Sequence, residues 1–261
     1  MADLFSDYLY GDSISFKHAR GSSDRSGKEF HIYHEIILFL DGNAEFISEN
    51  LHMHLTPNTL ILIPGETYHQ MIIHGDPENY YRCVLQFRED SEPAELIDSS
   101  MKNVQVFAAD REIRFLFDKL IRATKETAHT ALLLRSVLVL LLDALRVPKD
   151  TPGEEHPQNE IVRMAIAYIN RNLDKPLTIR SIAQACNISE SSLSHIFKKE
   201  MYIPIHKFIV KKRLIQAHHR ICAGEAATVV AMDCGFGDYS GFYKQYKHAF
   251  GFPPSHKTDK N

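Results

Sequence analysis

Two short polar rows near the C-terminus carry side chains suited to contacting nucleic acid. One holds Ser191, Ser194, His195 and Lys198, with Glu190 beside them. The other holds Ser240, Tyr243, Lys244 and Lys247, with Asp238 and Tyr239. Hydroxyl, imidazole and ammonium groups hydrogen-bond base edges and phosphates, and at spacings of three and four they share one face of a helix. A solvated helix face is also polar, so polarity alone does not separate the two readings. Repetition does.

The two rows sit in one pattern written twice. The first copy runs Ile182-Ala183-x-x-Cys186-Asn187-Ile188, then Leu193, then Phe197-Lys198-Lys199. The second runs Val230-Ala231-x-x-Cys234-Gly235-Phe236, then Phe242, then Tyr246-Lys247-His248. The alanines and cysteines are 48 residues apart and the later anchors 49, so the second turn holds one extra residue. Helices that cross steeply through a short turn need a small residue at the crossing, which Ala183 and Ala231 supply. The chain then leaves the first helix through a left-handed residue, for which Gly235 is best suited and Asn187 next. Ile188 and Phe236 plug the corner. Leu193 with Phe197, and Phe242 with Tyr246, each mark a buried stripe on the second helix. The doubled pattern predicts two helix-turn-helix motifs that read duplex DNA.

From Pro204 to Ala223 no helix breaker interrupts the chain, and Ile205, Phe208, Ile209, Leu214, Ala217 and Ile221 form an apolar face. Twenty residues at ~1.5 Å each give a rod of ~30 Å, close to the ~34 Å turn of B-DNA. Such a rod can hold two reading helices in successive major grooves. Lys211, Lys212 and Arg213 on it are expected either to meet the intervening phosphates or to be plain solvated charge.

Residues 160–254 resemble the DNA-binding domain of the AraC/XylS family of bacterial transcription regulators. The resemblance is carried by Leu177-Thr178-Ile179 with Ile182-Ala183, and by Leu193-Ser194-His195-Ile196-Phe197-Lys198-Lys199-Glu200. It continues in Ala231-x-x-Cys234-Gly235-Phe236, Phe242, Tyr246-Lys247 and Gly251-Phe252-Pro253-Pro254. It implies that Ser191, Ser194 and His195, then Ser240, Tyr243 and Lys244, face consecutive major-groove segments. It also implies a homodimer that works with RNA polymerase. The chain departs from the family at Asn187, where glycine is usual, and at His256-Lys257, where a Tyr-Arg pair is usual. The first reading helix has no arginine, the residue best suited to guanine.

Charge divides the chain. From Gln158 onward there are 15 Lys and Arg against 8 Asp and Glu, a balance of +7 within an overall charge of −3; the preceding part stands at −10. A basic rear half suits phosphates and an acidic front half does not. The four cysteines make no Cys-x-x-Cys pair, as expected of reduced thiols in a cytoplasm. No leader is evident in Met1–Tyr10, and the most apolar stretch, Ala131–Leu145, is too short to span a bilayer.

The front half from about Ile14 to Phe87 reads as short strands, with Ile36–Leu40, Leu51–Leu55, Leu60–Ile63 and Tyr80–Phe87 the clearest, closing into a small barrel or sandwich. Helical patterns follow at Arg111–Ala123 and His129–Arg146; the second is apolar nearly all round and must cover the barrel or a second subunit. Pro148–Gln158 has the composition of a linker. The expected organisation is α+β in two domains. A cupin-like barrel with flanking helices spans 1–150, a linker spans 151–158, and an all-α domain spans 159–261.

The strand region resembles the cupin-type sensor domain of AraC-family regulators through Glu35 with Gly42, and Pro64-Gly65 with His69. Enzymatic cupins hold metal at positions that here are Glu29, His31, Glu35 and His69. Such donors suit a divalent cation, but geometry decides. The expectation is that His31, Glu35 and His69, with Arg82, line a pocket for a small-molecule effector such as a sugar. No catalytic residue, metal or cofactor is assigned. His52 and His54 lie opposite Leu51, Met53 and Leu55 and are expected to face water. The expected function is a ligand-responsive regulator of a carbohydrate or related operon. The alternatives are a metal-dependent cupin enzyme fused to a DNA-binding module, or a constitutive regulator whose front half only dimerises.

Overall fold

The computed structural model describes residues 5–11, 13–21, 26–29, 31–88, 97, 101–125, 130–146, 155–156 and 159–255, with backbone only at 26–29 and 155–156. The chain forms two compact units, 1–157 and 158–261.

The first unit is built on two antiparallel sheets. The larger orders its strands as β1 (Phe5–Tyr10), β2 (Ile14–Arg20), β9 (Tyr81–Phe87), β4 (His34–Asp41), β7 (Thr59–Ile63) and β10 (Gln105–Ala108). The smaller orders β11 (Glu155–His156), β6 (His52–His54), β5 (Ala44–Ser48), β8 (His69–Ile73) and β3 (Ser26–Glu29). Two helices follow, α1 (Arg111–Ala123) and α2 (Thr130–Ala144).

The continuous apolar runs have a simple cause: the large sheet is covered on both faces. Ile36, Leu38, Leu60, Leu62 and Leu85 point to one side, where they cluster with Phe117 and Leu120 of α1 and Leu138 and Leu141 of α2. Ile37, Phe39, Ile61 and Ile63 point to the other, where they meet Phe46, Met53, Met71 and Ile73 of the smaller sheet. α2 buries one stripe and leaves Leu132 and Leu140 68% and 50% exposed, as α1 leaves Phe115 55% exposed. His52 and His54 sit opposite buried Met53, as their alternation requires; His52 Nε2 lies 3.0 Å from Glu45 Oε2. Within the segment expected to be only a linker, the backbone of Glu155–His156 pairs with Met53 and His52 at the open edge of β6. Residues 151–154, 157–158 and His256-Lys257 lie outside the described set.

The second unit is helical: α3 (Glu160–Arg171), α4 (Ile179–Ala185), α5 (Glu190–Met201), α6 (Ile205–Cys222), α7 (Ala227–Asp233) and α8 (Tyr239–Phe250). Both corners fold as the spacing predicts. Asn187 has φ 55° and Gly235 φ 79°. At the first corner Ile188 N–H donates to Ala183 O (3.0 Å) and Asn187 N–H to Gln184 O (3.1 Å). At the second, Phe236 N–H donates to Ala231 O (3.0 Å) and Gly235 N–H to Met232 O (2.9 Å). These paired bonds are the Schellman closure of a helix end. Ala183, Ala231, Cys186 and Cys234 are buried.

The corners differ in tolerance. A Cβ on Gly235 would meet Arg213 Cζ at 2.8 Å, in addition to the left-handed strain. Asn187→Ala is expected to cost about 1 kcal/mol, from the backbone conformation alone. Gly235→Ala carries the same backbone strain, also pushes the Arg213 guanidinium off its two carbonyl partners, and is expected to cost roughly 2–3 kcal/mol. Urea titration of both variants, followed by circular dichroism, checks the order.

Candidate nucleic-acid interface and effector pocket

α5 and α8 are each started by a side-chain cap. Ser189 Oγ accepts from Ser192 N–H (3.1 Å), and Asp238 Oδ1 accepts from Gly241 N–H (2.7 Å). Asp238, which the sequence placed among the polar row, is therefore engaged as a helix cap. Counted from these caps, Ser191 and Ser240 hold the same helical position, as do Ser194 and Tyr243, His195 and Lys244, and Lys198 and Lys247. Their exposure matches pair by pair: the first, third and fourth pairs are exposed, and Ser194 and Tyr243 are half-buried. The opposite stripe, Leu193 and Phe197 in α5 and Phe242 and Tyr246 in α8, is buried. Two helices thus present polar rows of four at matching positions and hold them on apolar stripes. Arg213 departs from the phosphate-facing expectation. Its Nη1 donates to Gly235 O (3.1 Å) and its Nη2 to Lys175 O (3.0 Å).

The front unit contains a cavity of about 250 Å³ between its sheets. Glu35, His69 and Arg82 line it. His31 reaches the same cluster through Glu35 without lining the cavity. Glu35 is buried, with Oε1 3.2 Å from His31 Nε2 and Oε2 3.1 Å from His69 Nε2. Gln86 Nε2 donates to Oε1 at 2.5 Å. His31 Nδ1 lies 2.9 Å from Tyr33 O and His69 Nδ1 3.1 Å from Thr67 O. A carbonyl only accepts, so each Nδ1 carries the hydrogen. Both Nε2 atoms then face a carboxylate, and positive charge is needed between them, from ring protons or from a cation. Burial, the largest influence, raises the Glu35 carboxyl; the two histidines outweigh it and hold the group well below the usual carboxylate range.

The ligand atoms of His31, Glu35 and His69 lie within 4.8 Å of one another, close enough to share one ion. Glu29, the fourth position of the resemblance, is paired with His69 through the β3 backbone, and its side chain lies outside the described set. Arg82 is buried, its Nη1 donating to Gly21 O and its guanidinium 4.7 Å over the Tyr80 ring.

Residue-level reading missed Gln86, Lys17, Tyr8 and Tyr80, which also line the cavity. The signal was available in alternation. Phe16 and Leu85 pack towards the helices, so Lys17 and Gln86 face the other way.

The sequence profile of the AraC-like ligand binding domain matches residues 13–142, and that of a helix-turn-helix domain matches residues 182–259. The chain belongs to the AraC family of transcriptional regulators. Among AraC-family relatives, the probable transcriptional regulator LumQ of Photobacterium leiognathi is 23% identical over 226 residues, covering 86% of this chain and 89% of that protein. The arabinose operon regulatory protein of Escherichia coli K12 is 26% identical over 207 residues, covering 76% and 71%. Among solved structures, ToxT from Vibrio cholerae O395 overlaps with a TM-score of 0.41 at 13% identity, covering 94% of this chain and 96% of that one. The chain is therefore a transcriptional regulator with an AraC-type ligand-binding domain and a DNA-binding helix-turn-helix domain. Among the described residues no helix is long and apolar enough to cross a membrane.

Proposed function

We propose that the protein is an effector-responsive, sequence-specific regulator without enzymatic activity. Residues 1–150 sense a small molecule, 151–158 link, and 159–261 bind operator DNA. The carrying observation is the pair of equally capped, equally exposed polar rows on α5 and α8, in one chain with a cavity ringed by Glu35, His69, Gln86 and Arg82. The rows support DNA contact by Ser191, Ser194, His195 and Lys198, and by Ser240, Tyr243, Lys244 and Lys247. The exposed Phe115, Leu132 and Leu140 support a homodimer contact through α1 and α2. RNA polymerase is the partner at the promoter, and the cytoplasm is the compartment.

A cavity of about 250 Å³ with acid, amide, imidazole and guanidinium groups and tyrosine rings suits a monosaccharide-sized polyol. The kinship with a regulator named for an arabinose operon points the same way. For the effector to matter, it must bind one arrangement of the protein better than another.

A second reading has its own observation: the three converging donors of His31, Glu35 and His69 fit a divalent cation. In that case the Nε2 atoms and the Glu35 carboxylate hold the ion, and their Nδ1 bonds to carbonyls keep the rings aimed.

One experiment weighs both readings. Thermal denaturation of the full chain is followed with aldoses, polyols, Zn²⁺ and Mn²⁺, each at saturating concentration. Upward shifts with a sugar, abolished by Glu35→Ala, support the effector reading. A shift only with metal, lost on adding chelator, moves the site to the cation. No shift with any sugar removes the carbohydrate assignment.

A further inference from the structure

We propose that Arg213 is the positioning residue that fixes the two reading helices in a set phase along DNA. The inference rests on the reading that α5 and α8 engage one duplex together. Arg213 lies in the middle of α6, the helix joining the two motifs. Its guanidinium forks. Nη2 donates to Lys175 O in the loop between α3 and α4, which belongs to the first motif's half of the unit. Nη1 donates to Gly235 O, the left-handed corner residue between α7 and α8. One side chain therefore holds a backbone carbonyl on each side.

The arrangement is close-fitting. Gly235 has no Cβ to displace the guanidinium, and a Cβ there would come within 2.9 Å of Cζ and both Nη atoms. α6 is also held nearer its start, where the Phe208 ring meets the Phe197 ring of α5 with centroids 5.4 Å apart. The two anchor points are five residues apart, about 7.5 Å along the axis. A helix held near one end pivots there; held also at its middle it does not. Without the Arg213 fork, α6 keeps the apolar packing at its start, where Ile205, Phe208 and Ile209 are buried, and its covalent joint to α5, and the second motif can swing about them.

Lysine cannot replace the fork. It keeps the charge but presents a single ammonium on a flexible stem, without the planar donors that span two carbonyls. The Arg213→Lys variant therefore separates positioning from charge.

The test uses the full-length protein and a duplex selected by it from a random pool. Affinities are measured for that duplex and for the same duplex with one base pair inserted between its two contacted segments, located by footprinting. The wild type is expected to lose about tenfold or more on insertion, because one base contact set drops out. Arg213→Lys is expected to bind the selected duplex more weakly and the inserted one nearly as well, so that the ratio falls towards one. Its salt dependence should stay as in the wild type. Arg213→Gln and Gly235→Ala, each checked for retained helicity, are expected to lower the ratio in the same way. A general weakening that leaves the ratio intact in every folded variant overturns the positioning role while leaving two-helix engagement standing. A wild type indifferent to the insertion overturns the joint engagement, and the proposal with it.

Discussion

Replacing His195 and Lys244 together by alanine is expected to weaken binding to the selected duplex by about 100-fold or more, at roughly tenfold or more per base-contacting side chain. The two residues hold the same position in their helices, six residues past the cap, and both are exposed. Each single variant should lose only its own share, and the two losses should add, because the sites are separate. The effect should be specific to sequence: random-sequence duplex, held by phosphate contacts, should be bound nearly as before. Lys198 and Lys247 lie three residues further along each helix, where a groove-bound helix meets phosphates. Alanine there should weaken all duplexes alike and lower the slope of affinity against salt by about one unit per lysine. Fluorescence anisotropy at several salt concentrations separates the two classes. Unchanged affinity in the His195/Lys244 double variant would remove these residues from the interface.

A comparably large effect is expected from Glu35→Gln. The carboxylate is buried between two imidazoles, and removing one partner of a buried charged cluster costs about 3–5 kcal/mol. The pH dependence gives the distinguishing sign. Folding lowers the Glu35 carboxyl from its ordinary value of 4.5. A carboxyl lowered on folding adds stability at pH above that ordinary value, and the gain drains away as pH falls through and below it. The front unit of the wild type should therefore weaken steeply below about pH 4.5, and Glu35→Gln should show a shallower acid limb from a lower starting point. Hydrogen exchange of the β4 and β8 amides reports this unit alone, which matters in a chain of two units. Equal protection in variant and wild type at pH 7, with the same acid limb, would show that Glu35 carries no such charge balance.

The two motifs were legible in the sequence because their constraints are local. A crossing alanine, a left-handed residue four further on and a capped second helix follow one another within a few residues, so Asn187 and Gly235 could be placed before any coordinates. α1 starts and stops where its periodicity does, since Asp110 caps it and one apolar face ends at Ala123. The strands were less legible. β8 gave no alternation because all five of its residues are buried, and β1 lies at an edge with a single buried residue. The cluster around Glu35 joins residues 34 apart in sequence from two different sheets. Spacing cannot show that pairing, and only the family resemblance brought Glu35 and His69 together. Gln86 needed the β4–β9 register, in which it stands opposite Glu35. The role of Arg213 is not legible in the sequence, because a helical wheel shows which way a side chain points but not which loop comes to meet it.

The turn of the second motif is longer by Gly237, which stands between the Phe236 plug and the Asp238 cap, whereas Ile188 runs straight into Ser189. With the differing side chains at Ser194 and Tyr243, and at His195 and Lys244, this makes front and rear of the DNA-binding unit unlike. A chain built so has a head and a tail on its operator. The stretch it covers is written in one direction, and reversing that stretch turns the bound molecule end for end relative to the start of transcription.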